Sequence, residues 1–211
     1  RERGVPVLND LGSGCLLDTA QYGLAPEPTV QQSVDAGVEL SFFSGDKLIG
    51  GPQAGIVAGQ GEWIERLARH PLARAVRIDK MGLAALSATL TSFLKEKAHE
   101  EVPVWRMISM SADRAAETAD SWRKAIDSPD VRIRGGNSTV GGGSLPGETL
   151  PTTLLAITPS DSPDAFALRL RSHDTPVVAR IEDEEVVLDP RTVLDEQSGI
   201  VIEAVKSALK V

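Results

Sequence analysis

Apolar positions mark out a series of short elements. Val5–Asn9 reads as a strand running into Asp10 and the flexible LGSG, Pro28–Ala36 as a small helix before Gly37, and Val38–Phe43 as a second strand. The Gly-rich LIGGPQAG precedes AGIVAG, a buried small-residue strand, and a helix then spans Gly61–Arg69 and stops before Pro71. Leu83, Leu86, Leu90 and Leu94 recur at helical spacing and predict a long amphipathic helix over Leu83–Lys97, with the polar EKAHEEVP as linker. Beyond it the pattern predicts a helix at Ala112–Ile126, strands at Val131–Arg134 and Thr153–Ile157, and a helix at Pro163–Ser172. A hairpin from Thr175–Ile181 and Glu184–Asp189 and a closing helix over Gln197–Leu209 follow. Strands and helices alternate in the first half as in an α/β layer, and roughly Val102–Val211 reads as an open α+β sandwich.

Composition narrows the class. The 211 residues, 41% hydrophobic and 25% charged, suit one large domain or two small ones and exclude whole-chain disorder, collagen and coiled coil. No apolar run approaches the roughly 18 residues of a membrane span, so no membrane partner is expected and the reading is cytoplasmic. A net charge of −8 disfavours nonspecific binding to nucleic acid but leaves room for a local basic patch. One cysteine, Cys15, and three scattered histidines make neither an internal disulfide nor a Cys/His zinc cluster. The opening Arg-Glu-Arg-Gly reads as a helix end with a Gly stop ahead of a buried strand, as expected of the C-terminal part of a longer protein.

The segment FFSGDKLIGGPQAG, from Phe42 to Gly55, carries the most chemistry. It sets Lys47 at a strand end inside a small-residue loop. Desolvation favours the neutral amine, the form that condenses with an aldehyde, although a solvated turn is the commoner place for a lysine. Ser44 lies three positions earlier, and the glycines at 45, 50 and 51 let backbone N–H groups approach an anion. Ser-x-x-Lys in such a loop suits pyridoxal 5'-phosphate but needs a third partner. Asp10, 37 residues before Lys47 and on an adjacent strand, is available to pair with the pyridinium nitrogen, or equally to cap a turn beside Gly12 and Gly14.

The segments NDLGSGCL, FFSGDKLIGGPQAGIVAG, HPLARAVRIDKMGLAAL and STVGGGSLPGETLPT resemble those of the bacterial L-seryl-tRNA(Sec) selenium transferases, from about Val5 to the chain's end, with the region after Asp161 matched by pattern more than by wording. The resemblance implies the second half of a fold-type-I pyridoxal phosphate transferase large domain, with a mostly parallel sheet, at residues 1–100, and a small α+β sandwich domain at 101–211. It implies conversion of serine on tRNA(Sec) to selenocysteine with selenophosphate as donor, through a dehydroalanyl intermediate. Lys47 would hold the cofactor, Asp46 would assist departure of the hydroxyl or orient Lys47, and Asp10 and Ser44 would complete the cofactor site. Arg74 and Arg77, three apart so that one helical turn would direct both to the same side, match the family's anion-binding arginines and would bind selenophosphate; Lys80 lies nearby. The family's members form ring-like homo-oligomers. Two alternatives remain: a related pyridoxal-dependent lyase acting on a small amino acid or amino-sugar acid, and a noncatalytic assembly fragment.

Other motifs weigh toward structure. GGGSLPGE lacks the Gly-Lys-Ser/Thr ending of a nucleotide loop and suits a substrate-facing or interface loop. His70 before Pro71 reads as a helix-end cap, His99 and His173 as solvated, and Trp63, Trp105 and Trp122 as core or interface anchors.

Overall fold

In the computed structural model, which describes residues 4–141 and 143–210, the chain forms two units. One comprises residues 1–109 and 140–148, the other 110–139 and 149–211. The expected helix end at residues 1–3 lies outside the described residues.

The first unit is built on a three-stranded sheet of β1 (Leu8–Gly12), β2 (Leu40–Ser44) and β3 (Gly55–Gly59), in that order. Helix α1 (Val30–Asp35) provides the crossover that lets β1 and β2 run parallel, and Thr29 closes its first turn with a capping box to Gln32. β3 is antiparallel to β2, so the sheet is mixed where a mostly parallel one was expected. The reason is the connection: residues 45–54 form a tight turn with no crossover helix, which can only reverse the chain. Helices α2 (Gly61–Arg69), α3 (Pro71–Ala75), α4 (Lys80–Leu94), α5 (Ala98–Glu101) and α6 (Pro103–Ser109) follow.

The core of this unit gathers Val30, Phe43, Ile49 and Leu86, with Leu90 and Phe93 packed against it. Of the four leucines that predicted α4, Leu86 and Leu90 take part in this core, whereas Leu83 and Leu94 are 53% and 85% exposed. The expected linker EKAHEEVP is instead structured. Its Ala98 and Val102 are buried and Glu101 accepts a hydrogen bond from Ser92 Oγ at 2.7 Å, so local apolar burial overrides the polar composition. His70 caps α3 through Nδ1, which accepts the Leu72 N–H.

The second unit comprises α7 (Ala112–Ile126), β4 (Val131–Thr139), β5 (Thr149–Ile157), α8 (Pro163–Arg171), β6 (Arg180–Glu182), β7 (Glu185–Leu188) and α9 (Ser198–Leu209). Its four strands make an antiparallel sheet in the order β4-β5-β7-β6. Trp122, Phe166, Leu155, Leu170 and Val205 pack the helices on the sheet in one buried cluster. Asp189, 6% exposed, accepts hydrogen bonds from Ser138 Oγ, Thr152 Oγ1 and the Arg191 backbone, while the Arg191 guanidinium donates to the carbonyls of Met110 and Pro151. Among the described residues no helix is long and apolar enough to cross a membrane.

Candidate active site

The site begins at an irregularity in β1. Its register against β2 shifts by one residue between Asp10 and Gly12, and the Asp10 carboxylate accepts the Gly12 N–H at 3.1 Å through Oδ1. Such a bulge re-aims a strand end, and bulges gather at active sites. Asp10 is therefore a turn cap, as one of its two readings has it, while Oδ2 carries no protein hydrogen bond among the described residues.

Beyond β2 the chain folds into the lysine turn. Gly45 N–H donates to Ala54 O, Gly51 N–H to Gly45 O and Gly50 N–H to Lys47 O, each at 2.8–2.9 Å. The turn is tied to the end of β1 by Leu48 N–H donating to Ser13 O at 3.1 Å, and from the other side by Trp105 Nε1–H donating to Leu48 O at 2.6 Å. Leu48, Ile49 and Trp105 are buried, so Lys47 projects from a rigid support and is itself half-buried.

Two glycines flank the lysine side chain. A Cβ on Gly12 would stand 3.8 Å from Lys47 Nζ; one on Gly143 would stand 3.4 Å from Cε and 3.5 Å from Nζ. Gly143, with φ near +90°, belongs to the GGGSLPGE loop. Lys47 and Asp46 line a pocket of about 380 Å³ with Gly50, Gly51, Val104 and Ser144. The Ser144 hydroxyl of this pocket, like that of Ser13 at the end of β1, is buried without a hydrogen-bond partner among the described residues. An aldehyde cofactor suits a flanked amine beside an unfilled hydroxyl, but the N–H groups of Gly45, Gly50 and Gly51, expected from the sequence to meet an anion, are spent on hydrogen bonds within the turn.

Ser44 ends β2 opposite Gly55 and is half-buried; it does not line that pocket. Arg74 and Arg77 are both exposed and outside it, and neither has an ion-pair partner among the described residues. They do not share a helical turn as their spacing suggested. Arg74 lies in the last turn of α3, which is capped at Val76, and Arg77 lies in the extended link before Asp79 caps α4. The sequence left Ser13 and Ser144 without a role; only the Gly-rich wording around 141–147 signalled that loop.

A second pocket, of about 310 Å³, lies in the second unit between α9 and the Thr175–Val178 segment. Its charged residues are already engaged, Arg180 by Glu182 and Asp189 by Ser138 and Thr152, so the open polar chemistry resides at Lys47.

The fold is similar to that of D-glucosaminate-6-phosphate ammonia-lyase. That solved structure aligns with a TM-score of 0.60 at 16% identity, over 99% of this chain and 50% of that one, a likeness of fold alone. The family model described as SelA, L-seryl-tRNA selenium transferase, matches residues 1–194, and the chain belongs to that family. L-seryl-tRNA(Sec) selenium transferase from Nitratidesulfovibrio vulgaris is 47% identical over 216 residues, covering 99% of this chain and 46% of the relative. That from Alkaliphilus metalliredigens is 42% identical over 212 residues, covering 98% and 45%. The chain thus spans about half the length of the curated relatives it matches.

Proposed function

We propose that the protein containing this chain converts serine esterified to tRNA(Sec) into selenocysteine, with selenophosphate as donor and pyridoxal 5'-phosphate held at Lys47. The observation that carries this reading is the Lys47 amine set between Gly12 and Gly143, in a chain of the selenium transferase family. When bound, pyridoxal phosphate supplies an electron sink for the charge left when a substrate Cα loses its proton.

The chain's own residues take the remaining roles. Lys47 Nζ anchors the aldehyde and, once free, accepts the seryl Cα proton. Asp10, whose Oδ1 is held by Gly12, would pair with the pyridinium nitrogen. Ser44, at the end of β2 next to the turn, would complete the cofactor site. Asp46, exposed beside Lys47, assists departure of the seryl hydroxyl or orients the lysine. Arg74 and Arg77 bind selenophosphate, for which exposed guanidinium groups are suited by charge and fork geometry. The protein works in the cytoplasm as a homo-oligomer.

The test is borohydride reduction of the full-length protein loaded with pyridoxal phosphate, followed by peptide mapping. The reading requires the reduced adduct on Lys47; an adduct on another side chain, or none, overturns it.

A further inference from the structure

Ser144 is only 6% exposed and its Oγ has no hydrogen-bond partner among the described residues, yet the residue lines the pocket that holds Lys47. An unsatisfied buried hydroxyl is costly, so it marks a place where a ligand completes the hydrogen bonding. The loop around it is held in a strained form. Leu145, buried, adopts φ near +48°, which a side chain with a Cβ rarely takes. Two bonds keep it there: Glu148 N–H donates to Leu145 O at 3.1 Å, and the Ala25 N–H donates to Glu148 Oε2 at 2.8 Å. Ser144 is thus fixed from the C-terminal side of the loop.

In the same pocket Lys47 has no ion-pair partner among the described residues, and Gly141, where an added Cβ would meet nothing within 4 Å, leaves backbone open to close approach, whereas Gly50 and Gly51 are packed against protein. Leu48, Pro103, Val104 and Val140 make the apolar wall, and Asp46 stands exposed beside Lys47. The hydroxyl offers a donor to an acceptor-rich group, and apolar walls strengthen such a bond by excluding water.

We propose that Ser144 is a binding residue of the Lys47 site, its hydroxyl donating to a phosphate-type oxygen. This rests on Lys47 being the reactive centre. The phosphate-type oxygen has two sources, the cofactor's phosphate ester or the phosphate moiety of the selenium donor.

The test uses the full-length protein with Ser144→Ala and Ser144→Thr. Dissociation constants are measured for pyridoxal 5'-phosphate and for pyridoxal on cofactor-stripped protein, and for inorganic phosphate on loaded protein. If the oxygen is the cofactor's, Ser144→Ala weakens pyridoxal 5'-phosphate by about tenfold and leaves pyridoxal unchanged; if it is the donor's, both cofactor forms are unchanged and inorganic phosphate weakens by about tenfold. Ser144→Thr, which keeps the hydroxyl, retains binding in either case. Because Oγ has no partner among the described residues, Ser144→Ala should melt with the wild type; if it does not fold, Ser144→Cys, which replaces the hydroxyl by a weak donor of similar size, is read in its place with the same expected and overturning constants. Unchanged constants for all three ligands in Ser144→Ala overturn the inference. Mapping the borohydride adduct separates the failures: an adduct on Lys47 with unchanged constants removes only the role of Ser144, whereas no adduct on Lys47 removes both.

Discussion

Gly143 lies against the aliphatic end of Lys47, and an added Cβ would meet Cε at 3.4 Å and Nζ at 3.5 Å. Its φ near +90° is also one that alanine takes only with strain. Gly143→Ala should therefore cost roughly 1–2 kcal/mol of stability and push the lysine aside. The expected outcome is a clear loss of pyridoxal phosphate uptake, read as absorbance on titration, while Gly135→Ala, whose Cβ would meet nothing within 4 Å, leaves uptake intact.

Trp105 reaches the site without touching Lys47. Its indole N–H donates to Leu48 O at 2.6 Å from a fully buried ring, so the bond fixes the turn that carries the lysine. Trp105→Phe keeps most of the apolar volume and leaves the Leu48 carbonyl unsatisfied. The expected cost is about 1–3 kcal/mol, measured by urea unfolding of the full-length protein.

Asp189 organises the second unit by accepting from Ser138 Oγ, Thr152 Oγ1 and the Arg191 N–H. Asp189→Ala strands those donors and removes the charge facing Arg191. The unfolding midpoint should fall by the equivalent of roughly 2–4 kcal/mol. A variant within 0.5 kcal/mol of wild type, a bound on the order of typical surface changes, would show that the network contributes little.

Cys15 is fully buried, and burial pushes its thiol up to about 11 from an ordinary 9.0, aided by the charges of Glu27 and Asp18. The unfolded thiol gives up its proton at lower pH than the folded one. Its contribution is therefore complete below pH 9 and is lost as pH rises toward 11, a loss of up to about 2–3 kcal/mol. Unfolding measured across that range should weaken accordingly in the wild type and much less in Cys15→Ala. At pH 8 the native thiol should resist a disulfide reagent that labels it at once in denaturant.

Much of the local structure was legible because local signals agree. Asp79, Ser111 and Ser162 each cap a helix start as such residues do, and the predicted spans at Gly61–Arg69 and Ala112–Ile126 coincide with α2 and α7. The predicted hairpin forms with a shorter first strand, Arg180–Glu182, and its turn one residue later than expected, at Asp183-Glu184, both at positive φ. Less legible was anything set by burial against distant chain. The leucine periodicity of α4 gives no sign that Leu83 and Leu94 stay exposed, and the charges of EKAHEEVP mask a helix anchored by Ala98 and Val102. The spacing of Arg74 and Arg77 promised a shared turn that the Val76 cap ends.

By itself the sequence determined most of the strands and the longer helices and singled out Lys47, because strand alternation, caps and a lysine among glycines are properties of neighbouring residues. Only the tertiary structure decided what surrounds that amine. Gly12 meets it through a one-residue shift in strand pairing, and Gly143 and Ser144, far along the chain, come to it from the loop between β4 and β5, which belongs to the same unit. Such approaches depend on where separate segments come to rest in space, and that is set by the packing energy of the whole fold.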